Sequence, residues 1–308
     1  MKAGVVHAKN DIRYEEIEKP QPKKGQVLIK VKYTGICGSD VPRVNGDACH
    51  FFPNVLGHEF SGTIEEVGEG VTTLKKGDRV AGVPLVPCME CEDCQKGNYS
   101  LCKHYSFIGS REFGSFAEYV TVPEKNAVKF EDEVSFEQGA FFEPATVALH
   151  GLNRVDYHAG ECVAILGGGT IGLFTAQWAK IFGAKKVVVF DISPERLELA
   201  KKLGVDEGIN TLDEDFMNQA MAVTDGKGFG YIYETAGVSI KVILIGDSFK
   251  ILSAVTRPIP AGPTAVKPKA LFKGIPNIPF STTPALAVVA ISKCPTSFIK
   301  MFLAYFVT

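Results

Sequence analysis

The sequence has 308 residues, 45% of them hydrophobic, which is enough to fill the cores of two domains of ordinary size. Its 33 basic and 35 acidic residues give a net charge of −2, so no overall field favours nucleic acid or an anionic membrane surface. Residues 1–7 lack the apolar run of a signal peptide. We therefore expect a cytoplasmic, two-domain globular protein whose partner is a small molecule.

The first part of the chain carries the alternating pattern of β-strands. In residues 26–33 apolar side chains occupy every second position, with lysines largely between them. Residues 61–67, 79–83 and 116–122 also read as strands, bounded by turn residues. We therefore expect the first 125 or so residues to be β-rich with long functional loops, within a first domain of residues 1–150.

A different pattern follows this β-rich part. Ser135 and Gln138 have the spacing of a capping box, which predicts a largely helical stretch through residue 152. Beyond it, strands at 162–166, 186–190 and 231–235 alternate with helices, one of which has Pro194 at its first position. This alternation predicts a parallel, doubly wound sheet in residues 151–238.

The composition changes again after residue 238. Residues 239–308 hold one acidic residue against eight lysines and arginines, together with eight of the 17 prolines. Proline at such density breaks nearly every helix or central strand that could be drawn there. Two interpretations stay open: a proline-rich terminal extension, or a tail that is not the natural continuation, as a frameshift would produce.

Four cysteines lie within fifteen residues of one another. Cys88, Cys91, Cys94 and Cys102 can close a tetrahedron around one zinc ion, whereas disulfides at this spacing would be strained and reducible in the cytosol. Four thiolates leave no open coordination position. We therefore predict a structural zinc site.

A second group has the mixed donors of a catalytic zinc site, which must keep a position open for water or substrate. The candidates are Cys37, His58, Glu59 and Glu143, the first three flanked by glycines. Taken singly, Cys37 fits a core cysteine and His58 a satisfied loop histidine. Their occurrence beside a separate structural site favours the metal site instead.

Two neighbours of Cys37 have candidate supporting roles. Asp40 is placed to orient His58 by accepting its second ring hydrogen. Ser39 is either a turn serine or a hydrogen-bond partner of the substrate hydroxyl. Farther along the chain, Arg111 is either a ligand for a substrate phosphate or a solvent-exposed ion-pair residue.

A glycine fingerprint runs from Gly167 through Gly169 to Gly172, between a predicted strand and a predicted helix. Asp191 ends the next strand, nineteen residues past Gly172. In that context the helix N-terminus is expected to hold a pyrophosphate, and Asp191 the ribose hydroxyls. The Asp191 charge favours NAD over NADP, while nearby Arg196 keeps NADP as an alternative.

The order of these features resembles the zinc-dependent medium-chain alcohol and polyol dehydrogenases, over residues 1 to about 238. The resemblance is carried by residues 37–43, 56–62, 107–111, 116–120 and 234–238. It implies a GroES-like catalytic domain, a Rossmann domain, a catalytic zinc held by Cys37, His58, Glu59 and Glu143, and a homodimer. It also implies the reaction, in which an alcohol is oxidised and hydride passes to NAD.

Within that family the chain is most similar to the polyol branch. The resemblance implies a sugar-alcohol phosphate of the galactitol 1-phosphate type as substrate. An unphosphorylated polyol such as sorbitol or butanediol is the second interpretation, and a truncated zinc-binding remnant without turnover is the third.

The sequence departs from the family pattern at two places. Many relatives carry a relay histidine five residues after the zinc cysteine, where this chain has Pro42, so proton release is expected to use Ser39, a glutamate and water, or another route. Residues 239–308 lack the pattern with which the family completes its nucleotide sheet and its dimer edge. We therefore expect an incomplete Rossmann sheet and an unstable or inactive chain, of which an intact parent would be the enzyme.

Overall fold

A computed structural model of the chain describes residues 1–46, 48–237 and the backbone of residues 251–252. The described chain divides into two compact units, with the boundary between His150 and Gly151. Each unit has its own sheet and its own buried core.

The first unit consists largely of antiparallel strands. They are β1 (Lys2–Ala8), β2 (Asp11–Glu16), β3 (Gln26–Gly35), β4 (Asn54–Val55), β5 (Glu59–Val67), β6 (Arg79–Gly82), β7 (Leu85–Val86), β8 (Ser106–Phe107), β9 (Tyr119–Pro123) and β10 (Ala127–Lys129). Five of them form a sheet in the order β10-β6-β5-β3-β9, and three form a second sheet in the order β2-β1-β4. The remaining pair, β7 and β8, makes a short ribbon.

The helices of the first unit are short, except for the last one. They are α1 (Asp40–Asn45), α2 (Glu92–Gln95), α3 (Phe136–Ala140) and α4 (Phe142–Asn153), with 3-10 turns at Tyr99–Leu101 and Glu124–Asn126. The predicted capping box is confirmed, because the Ser135 hydroxyl accepts from the Gln138 backbone N–H and the Gln138 side chain accepts from the Ser135 N–H. It starts the helical stretch that carries Glu143.

The core of the first unit lies on the five-stranded sheet. Its buried cluster includes Val27, Ile29, Phe60, Ile64 and Val120. Burial along β3 departs from strict alternation, since Leu28 is also fully buried while Tyr33 is 46% exposed. Leu28 lies on the face of β3 opposite to Val27 and Ile29, so both faces of the strand are buried there, and the register of β3 with β5 shifts between Val31 and Tyr33.

The second unit contains the predicted parallel sheet. Its strands are β11 (Cys162–Leu166), β12 (Lys186–Asp191), β13 (Glu207–Asn210), β14 (Tyr231–Glu234) and β15 (Ile251–Leu252), and its helices are α5 (Thr170–Ile181), α6 (Pro194–Lys202) and α7 (Phe216–Val223). All neighbours pair in parallel, in the order β13-β12-β11-β14-β15. This is the doubly wound arrangement, in which ligands bind beyond the carboxyl ends of the strands.

The predictions for residues 239–308 lie outside the described residues, apart from the backbone of β15. That two-residue strand pairs with β14 through Ile232 and Tyr233, so the parallel ladder extends beyond the last strand that the sequence predicted. Within the described part of the chain, no helix combines the length and the apolar character needed to cross a bilayer.

Candidate functional site

The candidate catalytic residues lie where two neighbouring strands of the five-stranded sheet end or begin. Gly35 ends β3 and leads into the loop of Cys37, while His58 immediately precedes β5 and Glu59 begins it. Gly35 and Glu59 are direct partners in the antiparallel ladder. A β-carbon at position 35 would overlap the Glu59 carboxylate, so any other residue there has to displace that side chain.

The structure brings Cys37, His58 and Glu59 together. One ligand atom from each lies within 4.8 Å of the others, and all three side chains are buried. Burial, followed by the charge of Glu59, raises the pKa of the Cys37 thiol to about 12. Burial also raises the pKa of Glu59 to about 7, and together with the Arg43 charge lowers the pKa of His58 to about 4.

The three converging donors fit a divalent cation. A buried thiol and carboxylates without a nearby compensating cation favour their neutral forms. A bound Zn²⁺ would reverse this preference, because thiolate, neutral imidazole and carboxylate are the forms that ligate zinc. The donor set of this pocket therefore matches a catalytic zinc site.

Glu143 lies outside that group of three but faces the same pocket. Its charge contributes to the raised pKa of Cys37, and its own pKa is raised to about 8 by burial and by the charges of Glu59 and Asp40. α4 presents it in its first turn. It thus contributes a third acidic group to a pocket that already holds Cys37 and Glu59.

Asp40 touches two of the candidate ligands. Its Oδ2 accepts a hydrogen bond from the Cys37 backbone N–H at 3.0 Å, and its Oδ1 lies 3.6 Å from His58 Nδ1. Both Asp40 Oδ1 and His58 Nδ1 are buried without a hydrogen-bond partner among the described residues. Asp40 therefore lies beside His58, but the predicted hydrogen bond from its second ring nitrogen is not formed at this separation.

Ser39 lies beside the Cys37 thiol and is buried. Its Oγ is another buried atom for which the described residues supply no well-aligned hydrogen-bond partner. The Ser39 hydroxyl therefore lies beside the candidate zinc ligand Cys37, where a substrate hydroxyl bound to the metal would also lie.

The four cysteines of the second cluster also converge. The Sγ atoms of Cys88, Cys91, Cys94 and Cys102 lie within 4.8 Å of one another, and none is in a disulfide. Backbone N–H groups of Glu90 and Cys91 lower the pKa of Cys88 to about 6, which favours its thiolate. Four sulfur donors at this separation fit a structural zinc ion.

The glycine fingerprint lies at the carboxyl edge of the parallel sheet. Gly167 follows β11 with φ of +106°, and its N–H donates to the Phe190 carbonyl at 2.7 Å. Gly169 precedes α5 without a side-chain cap, and the positive end of the helix dipole at this N-terminus favours a bound anion. Gly172 packs against the Gly167 carbonyl and Thr235, where a β-carbon would clash.

Asp191, the last residue of β12, contacts the glycine loop. Its Oδ2 accepts from the Gly168 N–H at 2.7 Å and lies 3.4 Å from Arg196 Nη1. Its Oδ1 accepts from the Ser193 N–H at 2.9 Å. The structure thus brings together the glycines, the acidic residue and the arginine that the sequence singled out.

Two residues near the pocket were given no role from the sequence. Arg43 lies in the last turn of α1, with its Nη1 3.9 Å from Asp40 Oδ1. His50 lies close enough to Arg43 and Arg111 for their charges to affect its pKa. The i, i+3 spacing of Asp40 and Arg43 was a usable signal, whereas nothing in the local sequence marked His50.

Two family models match the chain. "Alcohol dehydrogenase GroES-like domain" matches residues 23–132, and "Zinc-binding dehydrogenase" matches residues 170–244. The two matched ranges include the strands around the mixed-ligand pocket and most of the second unit.

Among curated proteins, galactitol 1-phosphate 5-dehydrogenase of Escherichia coli K12 is 42% identical over 239 residues, which cover 77% of this chain and 69% of that protein. Sorbitol dehydrogenase of Bacillus subtilis is 38% identical over 242 residues, with the same two shares. The crystal structure of galactitol-1-phosphate dehydrogenase from Escherichia coli matches with a TM-score of 0.72 at 42% identity, covering 77% of this chain and 69% of that one.

Proposed function

This chain belongs to the zinc-dependent medium-chain alcohol and polyol dehydrogenase family, and from that premise we propose that it oxidises a secondary alcohol of a sugar-alcohol phosphate, with NAD as hydride acceptor. The corresponding reaction is galactitol 1-phosphate to tagatose 6-phosphate. The observation that carries the proposal is the buried convergence of Cys37, His58 and Glu59 in a chain whose second unit holds a glycine loop against Asp191.

Cys37, His58 and Glu59 are the proposed ligands of the catalytic zinc, with Glu143 as a further carboxylate facing it. When bound, zinc supplies Lewis-acid chemistry that lowers the pKa of a substrate hydroxyl. Ser39, buried and unpaired among the described residues, is proposed to hydrogen-bond that hydroxyl and accept its proton. Pro42 has no side-chain group that can relay the proton, so Ser39 passes it to a glutamate or water.

The second unit is proposed to bind the dinucleotide. The N-terminus of α5, which follows the glycine loop, suits the pyrophosphate, and the remaining acceptor positions of Asp191 suit the ribose hydroxyls. The Asp191 charge opposes a 2′-phosphate, which favours NAD over NADP. Cys88, Cys91, Cys94 and Cys102 are proposed to hold a second, structural zinc ion.

A second candidate is oxidation of an unphosphorylated polyol. It is favoured by the 38% identity to a sorbitol dehydrogenase, which covers the same share of this chain as the galactitol 1-phosphate relative does. The two candidates share the metal pocket and the nucleotide loop, and they differ in what recognises the far end of the substrate.

NADH formation by the zinc-loaded protein tests the proposal. Galactitol 1-phosphate, sorbitol and butanediol are supplied in parallel, with NAD and then NADP as acceptor. We expect the highest kcat/KM with galactitol 1-phosphate and NAD. Faster oxidation of sorbitol would select the second candidate, and zinc binding without NAD binding or turnover would identify a zinc-binding protein that is not an enzyme.

A further inference from the structure

Arg43 carries a buried guanidinium that is poorly paired. Its side chain is 15% exposed, and its Nε and Nη1 are buried with no hydrogen-bond partner among the described residues. The carboxylate oxygen Asp40 Oδ1 lies 3.9 Å from Nη1, which is beyond hydrogen-bond distance. Leaving such donors unpaired is costly, so the arrangement suits an additional anionic partner.

Two loops of the same unit are held together beside this region. Phe51 stacks on Phe113 with ring centroids 6.1 Å apart, and Asn54 Nδ2 donates to the Ser110 carbonyl at 3.3 Å. These contacts tie the loop that contains His50 to the loop that contains Arg111. Two further cationic or protonatable groups therefore lie in adjacent loops.

The Arg111 guanidinium is fixed by an aromatic ring and not by a carboxylate. It lies over the Tyr105 ring at 4.4 Å from the centroid, and its Nη2 donates to the Tyr105 hydroxyl at 3.3 Å. Within the described ranges Arg111 forms no salt bridge, so the ion pair expected as one of its two roles is not found there. Its charge is free to attract an anion.

His50 lies within reach of the charges of both arginines, in the loop that Phe51 and Asn54 tie to the loop of Arg111. Burial lowers the pKa of His50, and the charges of Arg111 and then Arg43 lower it further, which places both guanidinium groups near the same imidazole. Within the described residues, Asp40 is the one carboxylate at ion-pair distance from any of these three basic side chains. Two guanidinium charges in this region, against a single carboxylate at 3.9 Å, favour binding of a further anion.

We propose that Arg43, His50 and Arg111 form the binding site for the phosphate group of the substrate. The proposal rests on the proposed function and adds to it the residues that distinguish a phosphorylated from an unphosphorylated polyol. Guanidinium groups bind phosphate through charge-assisted, often bidentate hydrogen bonds. Asp40 links Arg43 to the metal pocket, because its Oδ1 lies 3.9 Å from Arg43 Nη1 and 3.6 Å from His58 Nδ1. One polyol phosphate would therefore place its reacting hydroxyl in the metal pocket and its phosphate group at the neighbouring basic residues.

The test measures binding in the absence of nucleotide, so that no turnover occurs. Isothermal titration calorimetry on the zinc-loaded full chain compares galactitol 1-phosphate, galactitol and inorganic phosphate. For Arg111→Met we expect binding of galactitol 1-phosphate to weaken about 10- to 100-fold, because a charge-assisted hydrogen bond is lost, while binding of galactitol changes less than about twofold. His50→Gln should act in the same direction more weakly.

Arg13→Met is the matched control. Arg13 is an exposed arginine of the same unit, and it pairs with Asp11 on β2. This variant should leave the binding of all three ligands unchanged. Arg43→Met is measured together with its zinc content, because Arg43 contacts Asp40; a loss of phosphate binding with full zinc content supports the site.

The outcomes separate this proposal from the function it rests on. If the wild-type chain binds galactitol 1-phosphate no more tightly than galactitol, or if Arg111→Met binds it as tightly as the wild type does, the phosphate site is wrong even where NADH is formed. If no alcohol is oxidised but Arg111→Met loses binding of galactitol 1-phosphate and inorganic phosphate, the site stands and the enzymatic function fails.

Discussion

Gly35 of β3 lies directly opposite Glu59 of β5, and the absence of a side chain at position 35 makes room for the Glu59 carboxylate. Glycine at this position is therefore a requirement of the candidate metal pocket as well as of the strand end. A methyl group there has to displace the far end of the Glu59 side chain, which is flexible. The main consequence should fall on metal binding and less on folding.

We expect Gly35→Ala to lose the catalytic zinc selectively. Zinc content should fall from two ions per chain towards one, and NADH formation should fall by at least about tenfold, the size of effect seen when the supports of metal ligands are altered. Gly151→Ala is the control, because the space around a β-carbon at that α4 position is open to 4 Å. Equal zinc content in the two variants would contradict this role of Gly35.

Asp40→Asn should weaken the same site by a different route. The change keeps the size of the side chain but removes the charge that lies 3.6 Å from His58 Nδ1. We expect zinc affinity to fall about 10- to 100-fold, measured by competition with a chromogenic chelator. Asp11→Asn, at a surface aspartate that pairs with Arg13, should leave zinc affinity unchanged. If Asp40→Asn binds zinc as tightly as the wild type does, the role of Asp40 is limited to accepting the hydrogen bond from the Cys37 backbone N–H.

The four-cysteine cluster should contribute to stability and not to the chemistry. Cys94 is buried in that cluster, so Cys94→Ser removes one thiolate from a closed site. We expect one zinc ion fewer per chain and a lower Tm, since structural zinc binding contributes directly to folding free energy. Cys162→Ser, in β11 and outside both clusters, should keep both ions. Two zinc ions in Cys94→Ser would contradict the structural site.

Local patterns predicted most of the elements that carry the site, because those elements depend on neighbouring residues. The capping box at Ser135 and the N-cap at Ser193 form as predicted, since each needs only a hydroxyl and an N–H three residues later. The β1–β2 hairpin was not predicted. Its turn is marked only by Asn10, which adopts φ of +61°, and the strands around it carry charged residues that weaken the alternation.

What the sequence did not predict depends on contacts between distant segments. His50 becomes a candidate ligand residue only because the loops of Phe51 and Phe113 pack together, 62 positions apart in the chain. Similarly, the burial of Leu28 depends on distant segments that cover the face of β3 opposite to the core cluster, which alternation alone does not encode. Spacing predicts which residue types converge, while tertiary packing decides which further charges surround them.

Asp191 should set the preference between the two dinucleotides. Its carboxylate already accepts the Gly168 and Ser193 N–H groups and lies 3.4 Å from Arg196 Nη1, so its negative charge is fixed beside the glycine loop. Asp191→Asn keeps an acceptor oxygen while removing that charge, and it frees Arg196 to bind a 2′-phosphate. We expect the ratio of the Kd for NADPH to the Kd for NADH, measured by fluorescence titration, to fall by about tenfold or more, since one charge-assisted contact is gained and one repulsion is lost.

Asp206→Asn is the matched control for this change. Asp206 also accepts a backbone N–H, that of Val187, and also pairs with a basic residue, Lys180, but it lies away from the glycine loop. Both variants should lose some stability, because each weakens a charged acceptor of a backbone N–H. Only Asp191→Asn should change the ratio of the two dissociation constants. An equal ratio in the two variants would mean that Asp191 holds the loop but does not contact the ribose, and that dinucleotide preference depends on other residues.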